Sequence, residues 1–171
     1  MSGRGVGREA AEGGAEAGGV VYRAGEARDL GGIVALTAGV ANAPHWNEAV
    51  YAAILGAAGG IPRGLVVAEV DGEVAGLVVV SVVRDVAEVE NLVVREEMRR
   101  RGLGMGLCRA GMAWCRERGA TSLVLEARQS NAAALALYQR MGFVAVGTRA
   151  GYYTNPAEDA VLMSLELSAV A

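Results

Sequence analysis

The chain has 171 residues, enough for one domain with a packed core. Apolar residues make up 53% and charged residues 20%, which excludes a chain disordered throughout. A formal net charge of -3 speaks against a general nucleic-acid binder, and no apolar run is long enough to span a bilayer.

Residues 1–18 carry Gly, Ala, Glu and Arg with almost no large apolar side chain, the composition of a disordered tail. Residues 19–171 then read as a single domain. "VVYRAG" from Val20 is a first strand. Residues 26–40 are helical in pattern, with Leu30, Ile33 and Val34 near one stripe. "NAPHWNEAVYAAIL" restarts a helix, with Pro44 near its first turn. "GLVVAEVDGEVAGLVVVSVV" holds two strands around Asp71-Gly72, a hairpin signal. "DVAEVENLVV" adds a third, so strands two to four form an antiparallel meander.

A helix follows from about Gly104 to Arg118, with Leu103, Leu107, Cys108, Gly111, Trp114 and Cys115 along one arc. "SLVLEAR" is a strand again, and strand–helix–strand implies a parallel pair with a right-handed crossover. "SNAAALALYQRM" is a helix capped by Ser130 or Asn131 and stopped by Gly142. "FVAVGTR" and "DAVLMSLEL" close the chain as an antiparallel pair. The order is β-α-α-β-β-β-α-β-α-β-β. That is an α/β (α+β) fold with one mixed sheet and helices on both faces.

Cys108 and Cys115 lie seven apart on a helix face shared with Leu107 and Met112, so both read as buried small hydrophobes. With His45 the lone histidine, no metal-ligand spacing exists, and no metal is expected. The N-terminus lacks the apolar block of a secretory signal, so the expected location is cytoplasmic.

The stretch "MRRRGLGMGL" runs Arg99, Arg100 and Arg101 into Gly102, Leu103 and Gly104. Free N–H groups at a helix start, the helix dipole and bare glycine backbone suit a pyrophosphate, and the arginines add full charge. A Walker loop is excluded because the chain has no lysine. A dinucleotide site expects the glycines after the first strand of a parallel sheet, not after the fourth strand of a meander.

The pattern Arg99-x-x-Gly102-x-Gly104 resembles the acetyl-coenzyme A loop of the GNAT N-acetyltransferases. "NLVV", "LEARQSNAAALALYQRMGF" and "YY…EDAVLMSL" narrow the likeness to ribosomal-protein alanine acetyltransferases of the RimI type. The resemblance implies acetyl-CoA as cosubstrate, held by the backbone of Leu92, Val93 and Val94, by the loop from Arg99 to Gly104, and by Asn131. One N–H on that strand, taken as Val93's, polarises the thioester. Tyr138 is implied as the general acid at the sulfur. Asn131 and Tyr138 are two helical turns apart on one face, on the order of 10 Å. Packing alone would also explain Tyr138.

Acetyl transfer needs a neutral amine, and an α-amine with a pKa of about 8 needs only mild base assistance. Glu126, an acid in an apolar strand, is the favoured base, with Glu88 and Glu90 as runners-up; pairing of Glu126 with Arg128 is the structural alternative. The resemblance puts Tyr152 and Tyr153, in a loop after the sixth strand, at the acceptor peptide's slot. Glu158 and Asp159 would hold that loop. Trp46 and His45 would border the acceptor, although a lone histidine is ordinarily structural. The expected activity is direct acetyl transfer to a protein N-terminus, the N-terminal alanine of a ribosomal protein being the leading acceptor. A small-amine acetyltransferase and a non-catalytic acetyl-CoA-binding module are the rivals. No nucleic acid or membrane partner is expected, and the chain is read as a monomer or homodimer.

Overall fold

A computed structural model describes residues 19–41, 43–44, 46–57 and 59–168. The expected tail, residues 1–18, and His45 lie outside the described residues. Seven strands form one sheet in the order β1-β2-β3-β4-β5-β7-β6. The strands are β1 (Val20–Ala24), β2 (Arg63–Val70), β3 (Glu73–Val83), β4 (Val86–Val94), β5 (Ser122–Arg128), β6 (Val144–Thr154) and β7 (Ala157–Glu166). The helices are α1 (Leu30–Ala38), α2 (Glu48–Leu55), α3 (Leu103–Glu117) and α4 (Ala132–Arg140). Element order and the antiparallel β2-β3-β4 meander are as expected, and β4 and β5 are the parallel pair.

Local chemistry accounts for the boundaries. Asp71 (φ 51°) and Gly72 (φ 78°) are both left-handed, the geometry of a two-residue hairpin turn that twists with its strands. The first helix is shorter than its pattern suggests. A 3-10 turn, Ala27–Asp29, precedes it, and the Asp29 carboxylate accepts from the Glu26 N–H at 2.8 Å. Helix α2 starts at Glu48, beyond Pro44, because the Asn47 side chain caps it by accepting from the Val50 N–H at 3.1 Å. Asn131 rather than Ser130 caps α4, accepting from the Ala134 N–H at 3.1 Å.

Two apolar clusters flank the sheet. One packs α3 and α4 against the meander and β5, with Leu103, Leu107, Cys108, Cys115, Leu125, Tyr138 and Met163 among its buried members. The other packs α1 and α2 on β2, β3 and β4, through Ile33, Tyr51, Val67 and Val79. Both cysteines are buried as expected, and burial raises each thiol's pKa, Cys115's to about 11. Small residues let α3 lie close to the sheet. A Cβ on Gly106 would stand 2.1 Å from the Tyr22 ring, so this third glycine of the loop motif serves packing.

Strand β4 carries a bulge that decides which of its side chains reach each face of the sheet. Val79 pairs with Asn91 and Val80 with Val89, leaving Glu90 as the extra residue. The alternation of faces therefore changes: Val89 belongs to the α3 cluster, whereas Val93 belongs to the α1–α2 cluster. Asn91, 3% exposed, donates from Nδ2 to the hydroxyl of the fully buried Tyr51 at 2.9 Å, tying the bulge to α2. Tyr51→Phe removes that partner and strands a buried amide. It is expected to cost about 1–3 kcal/mol in urea-melt stability.

Candidate active site

Strands β4 and β5 form a ladder of three residue pairs, Val86↔Ser122, Ala87↔Leu123 and Glu88↔Val124. Beyond them β4 follows β3 as far as Val94, opposite Gly76, while β5 follows β7 as far as Arg128, opposite Ala160. The Glu90 bulge begins where the ladder ends, and a bulged strand bends and twists away from its neighbour. The result is a wedge between two parallel strands. Among the described residues no strand pairs with the β5-facing edge of Leu92, Val93 and Val94. Unpaired strand N–H and C=O groups accept an extended ligand that bears amides of its own.

The loop after β4 lies at the mouth of this wedge. Arg100 (φ 65°) and Gly102 (φ 79°) are left-handed, with Arg101 between them in an ordinary conformation. Such alternation turns successive N–H groups toward one side and makes an anion-binding concavity. Gly102 is the N-cap of α3 and brings no side chain to occupy the helix's first donors. The first helical bond runs from the Gly106 N–H to the Gly102 carbonyl at 3.0 Å, so the N–H groups just before it face outward. Leu103, 1% exposed, anchors the turn in the core, while Arg99, Arg100 and Arg101 are exposed. None of the three arginines has a carboxylate partner among the described residues. Bare amides and free cations together fit a diphosphate.

Helices α1 and α2 pack over β2, β3 and β4, and the same face of β5, β7 and β6 stays open beside them. Glu88, Glu90 and Glu126 project there, because their strand neighbours Ala87, Val89, Leu125 and Ala127 fill the opposite cluster. Glu90 is bound by Arg63 through two hydrogen bonds, Nε–Oε2 at 2.8 Å and Nη2–Oε1 at 2.9 Å. Glu126 pairs with Arg149 of β6, Nη1 to Oε1 at 3.4 Å. The expected alternative partner, Arg128, is engaged elsewhere: it pairs with Glu158 at 3.3 Å and lies 4.2 Å over the Tyr153 ring.

Glu88 has no ion-pair partner of its own among the described residues. Partial burial, then the charges of Glu90 and Glu126, raise its carboxyl above the ordinary 4.5, and Arg149 and Arg63 offset part of that rise. Folding therefore favours the protonated form, and stability falls as pH rises through the folded value. Glu88→Gln is expected to raise the Tm at neutral pH. That gain should disappear below the unfolded value of 4.5, where the wild-type carboxyl is protonated in both states. Thermal melts at the two pH values check it.

Tyr152 and Tyr153 are not in a loop. They lie within β6, which runs on to Thr154, and the register breaks between Arg149 and Tyr153. Gly151 (φ 62°) sits in that break, and its N–H donates to Asp159 Oδ1 at 2.8 Å. Asp159 and Glu158 thus brace this segment from within β7; Glu158 also accepts from the Ser130 N–H and pairs with Arg128. The two tyrosine rings meet edge to face at 5.1 Å. Hydrogen bonding to Glu126, then burial, raises the Tyr152 phenol's pKa. Trp46 is half-buried against Tyr51, ring centroids 5.5 Å apart, at the α2 border of the open face.

Tyr138 is 6% exposed and packs edge-on to Phe143 at 5.6 Å. Burial pushes its phenol well above the usual tyrosine range, with smaller contributions from Cys108 on α3 and Tyr153 on β6. The Tyr138 hydroxyl has no hydrogen-bond partner among the described residues, yet is not one of the fully enclosed polar atoms. A cavity of about 780 Å³ opens elsewhere, between α1 and the β2–β3 turn. Two of its arginines are engaged, Arg23 by Asp29 and Arg95 by Glu73.

The model of the acetyltransferase (GNAT) family matches residues 33–143. The chain belongs to the GNAT acetyltransferase family. It is thereby placed among the acetyl-CoA-dependent N-acetyltransferases. An Escherichia coli (strain K12) relative, named ribosomal protein bS18-alanine N-acetyltransferase, is 39% identical over 100 residues, covering 57% of this chain and 68% of the relative. A Bacillus subtilis (strain 168) relative bearing the same name provisionally is 39% identical over 97 residues, 57% of this chain and 64% of its own length. The crystal structure of the E. coli ribosomal-protein-S18-alanine N-acetyltransferase superposes with a TM-score of 0.75 at 30% identity, covering 89% of this chain and 96% of that one. The RimI-type likeness drawn from the motifs is thus borne out. No helix of the described residues is long and apolar enough to cross a membrane.

Proposed function

We propose that this GNAT protein acetylates the α-amine of a protein N-terminus in the cytoplasm, by direct attack within a ternary complex. The N-terminal alanine of a ribosomal protein is the leading acceptor, in keeping with the names of its relatives. The observation that carries the reading is the wedge at Glu88↔Val124 opening onto a sheet face that bears Glu88 and Glu126. Acyl carrier and amine then meet from opposite sides of the sheet.

Bound acetyl-CoA supplies an activated acetyl group as a thioester. The Leu92–Val94 edge and Asn131 hold the pantetheine arm, and the loop from Arg99 to Gly104 holds the diphosphate. The acidic face attracts the acceptor as an ammonium ion, and Tyr152, Tyr153 and Trp46 border its path. Glu126 takes the amine's proton, which frees the nitrogen lone pair for attack on the carbonyl carbon. The Val93 N–H donates to the carbonyl oxygen as negative charge develops there. As the carbon–sulfur bond breaks, Tyr138 gives its proton to the sulfur, and the nitrogen's second surplus proton returns through solvent to the Tyr138 phenolate.

Mass spectrometry of an acceptor panel with acetyl-CoA tests the proposal. The panel holds Ala-, Ser- and Met-initiated peptides, an internal-lysine peptide and small amines. Acetylation of the Ala-initiated peptide at its α-amine is expected. Acetylation confined to small amines would overturn the peptide reading.

A further inference from the structure

Two of the guanidiniums on the open face, Arg63 and Arg149, are held very differently. Arg63 grips Glu90 at both carboxylate oxygens, a bidentate pair with geometric preference. Arg149 meets Glu126 at one oxygen only, 3.4 Å away, and makes no hydrogen bond there. The Arg149 side chain is 57% exposed, against 18% for Glu126. It stands on edge strand β6 and reaches Glu126 across β7, where Arg149 pairs with Ala160, Gly147 with Leu162, and Leu162 with Glu126. Its other neighbour is the Tyr152 ring, 5.6 Å from the guanidinium carbon.

We propose that Arg149 is a displaceable counter-ion, standing on Glu126 where the acceptor's ammonium binds and swinging off as the acceptor arrives. This rests on the proposed N-terminal acetylation. The charge balance supports it. Four carboxylates, Glu88, Glu90, Glu126 and Glu158, face three guanidiniums, and two of those, Arg63 and Arg128, are engaged by Glu90 and Glu158. An exposed, single-point pair is a weak one, readily exchanged for a compact cation that brings its own hydrogen bonds. The guanidinium already lies by the Tyr152 ring, and that cation–π contact does not depend on Glu126, so it can persist when the pair is broken. Arg149 is a positioning residue in this scheme. It keeps the vacant carboxylate neutralised and never touches the reacting atoms.

The test compares Arg149→Ala and Arg149→Lys with the wild type, using an Ala-initiated peptide and saturating acetyl-CoA. Removing a competing cation is expected to lower the peptide KM about threefold to fivefold, the span of an exposed ion pair. The gain should appear in KM rather than in kcat, and Arg149→Lys should restore the wild-type KM. Calorimetric titration with alanine amide gives the same comparison without turnover, and Arg149→Ala should bind it more tightly by a similar factor. A KM that rises in Arg149→Ala would show that Arg149 grips the acceptor, and an unchanged KM would make it a bystander; either overturns the inference. If the wild type acetylates only small amines, the peptide reading falls, and the alanine amide titration still decides on Arg149.

Discussion

Glu126→Gln is expected to lower kcat by about 10²–10⁴-fold, the usual contribution of a positioned general base. The substitution keeps the side chain's size and removes its charge and its capacity to accept a proton. Glu126 contributes little to packing: its neighbours Leu125 and Ala127 fill the α3–α4 cluster, while Glu126 turns to the open face opposite Leu162. Its pairing with Arg149 is loose and exposed, so the Glu126→Gln variant should melt close to the wild type. Acetyl-CoA binding, measured by calorimetry, should persist because the Leu92–Val94 edge and the Gly102 loop would hold it through backbone groups that the substitution leaves in place. Glu88→Gln should cost less turnover than Glu126→Gln. A Glu126→Gln variant with wild-type kcat, beside a Glu88→Gln variant that has lost it, would move the base onto β4.

Tyr138→Phe should separate catalysis from packing, because the two roles predict opposite results. The Tyr138 ring is buried in the α3–α4 cluster against Phe143, and its hydroxyl lacks a protein hydrogen-bond partner among the described residues. Deleting a hydroxyl that makes no hydrogen bond leaves stability equal or slightly higher. As the proton donor to sulfur, however, the same hydroxyl should be worth about 10² or more in kcat. The expected variant is therefore at least as stable as the wild type and strongly impaired in turnover. Undiminished kcat would reduce Tyr138 to a core residue and leave the leaving group to solvent.

Much of this site is legible in the sequence. The meander, the parallel return and the helix after the glycines follow from periodicity, Asp71-Gly72 and the spacing of apolar residues, and the helix faces of Cys108 and Cys115 follow from a period near 3.6. Asn131 at the α4 cap and Tyr138 two turns later are likewise fixed by helical geometry. Three features are hidden for physical reasons. The Glu90 bulge changes which residues face the open side, yet the run Ala87-Glu88-Val89-Glu90-Asn91 carries no mark of an extra residue. Strand β6 is exposed along nearly its whole length, so no buried–exposed alternation signals its continuation past Arg149 through Ala150 and Gly151 to the tyrosines. The Arg149–Glu126 contact depends on the register of two strands across a third, which no local pattern encodes. For the same reason Arg128, two positions from Glu126, is the natural partner by proximity in the chain, and the structure sends it to Glu158 instead.

A crystal structure with bound acetyl-CoA tests the central claim most directly. The expected density places the diphosphate on the Gly102–Gly104 amides, the pantetheine arm along Leu92, Val93 and Val94, and β4–β5 pairing no further than Glu88↔Val124. Coenzyme A bound away from that wedge, or a β4–β5 ladder continuing to Val94, would contradict it.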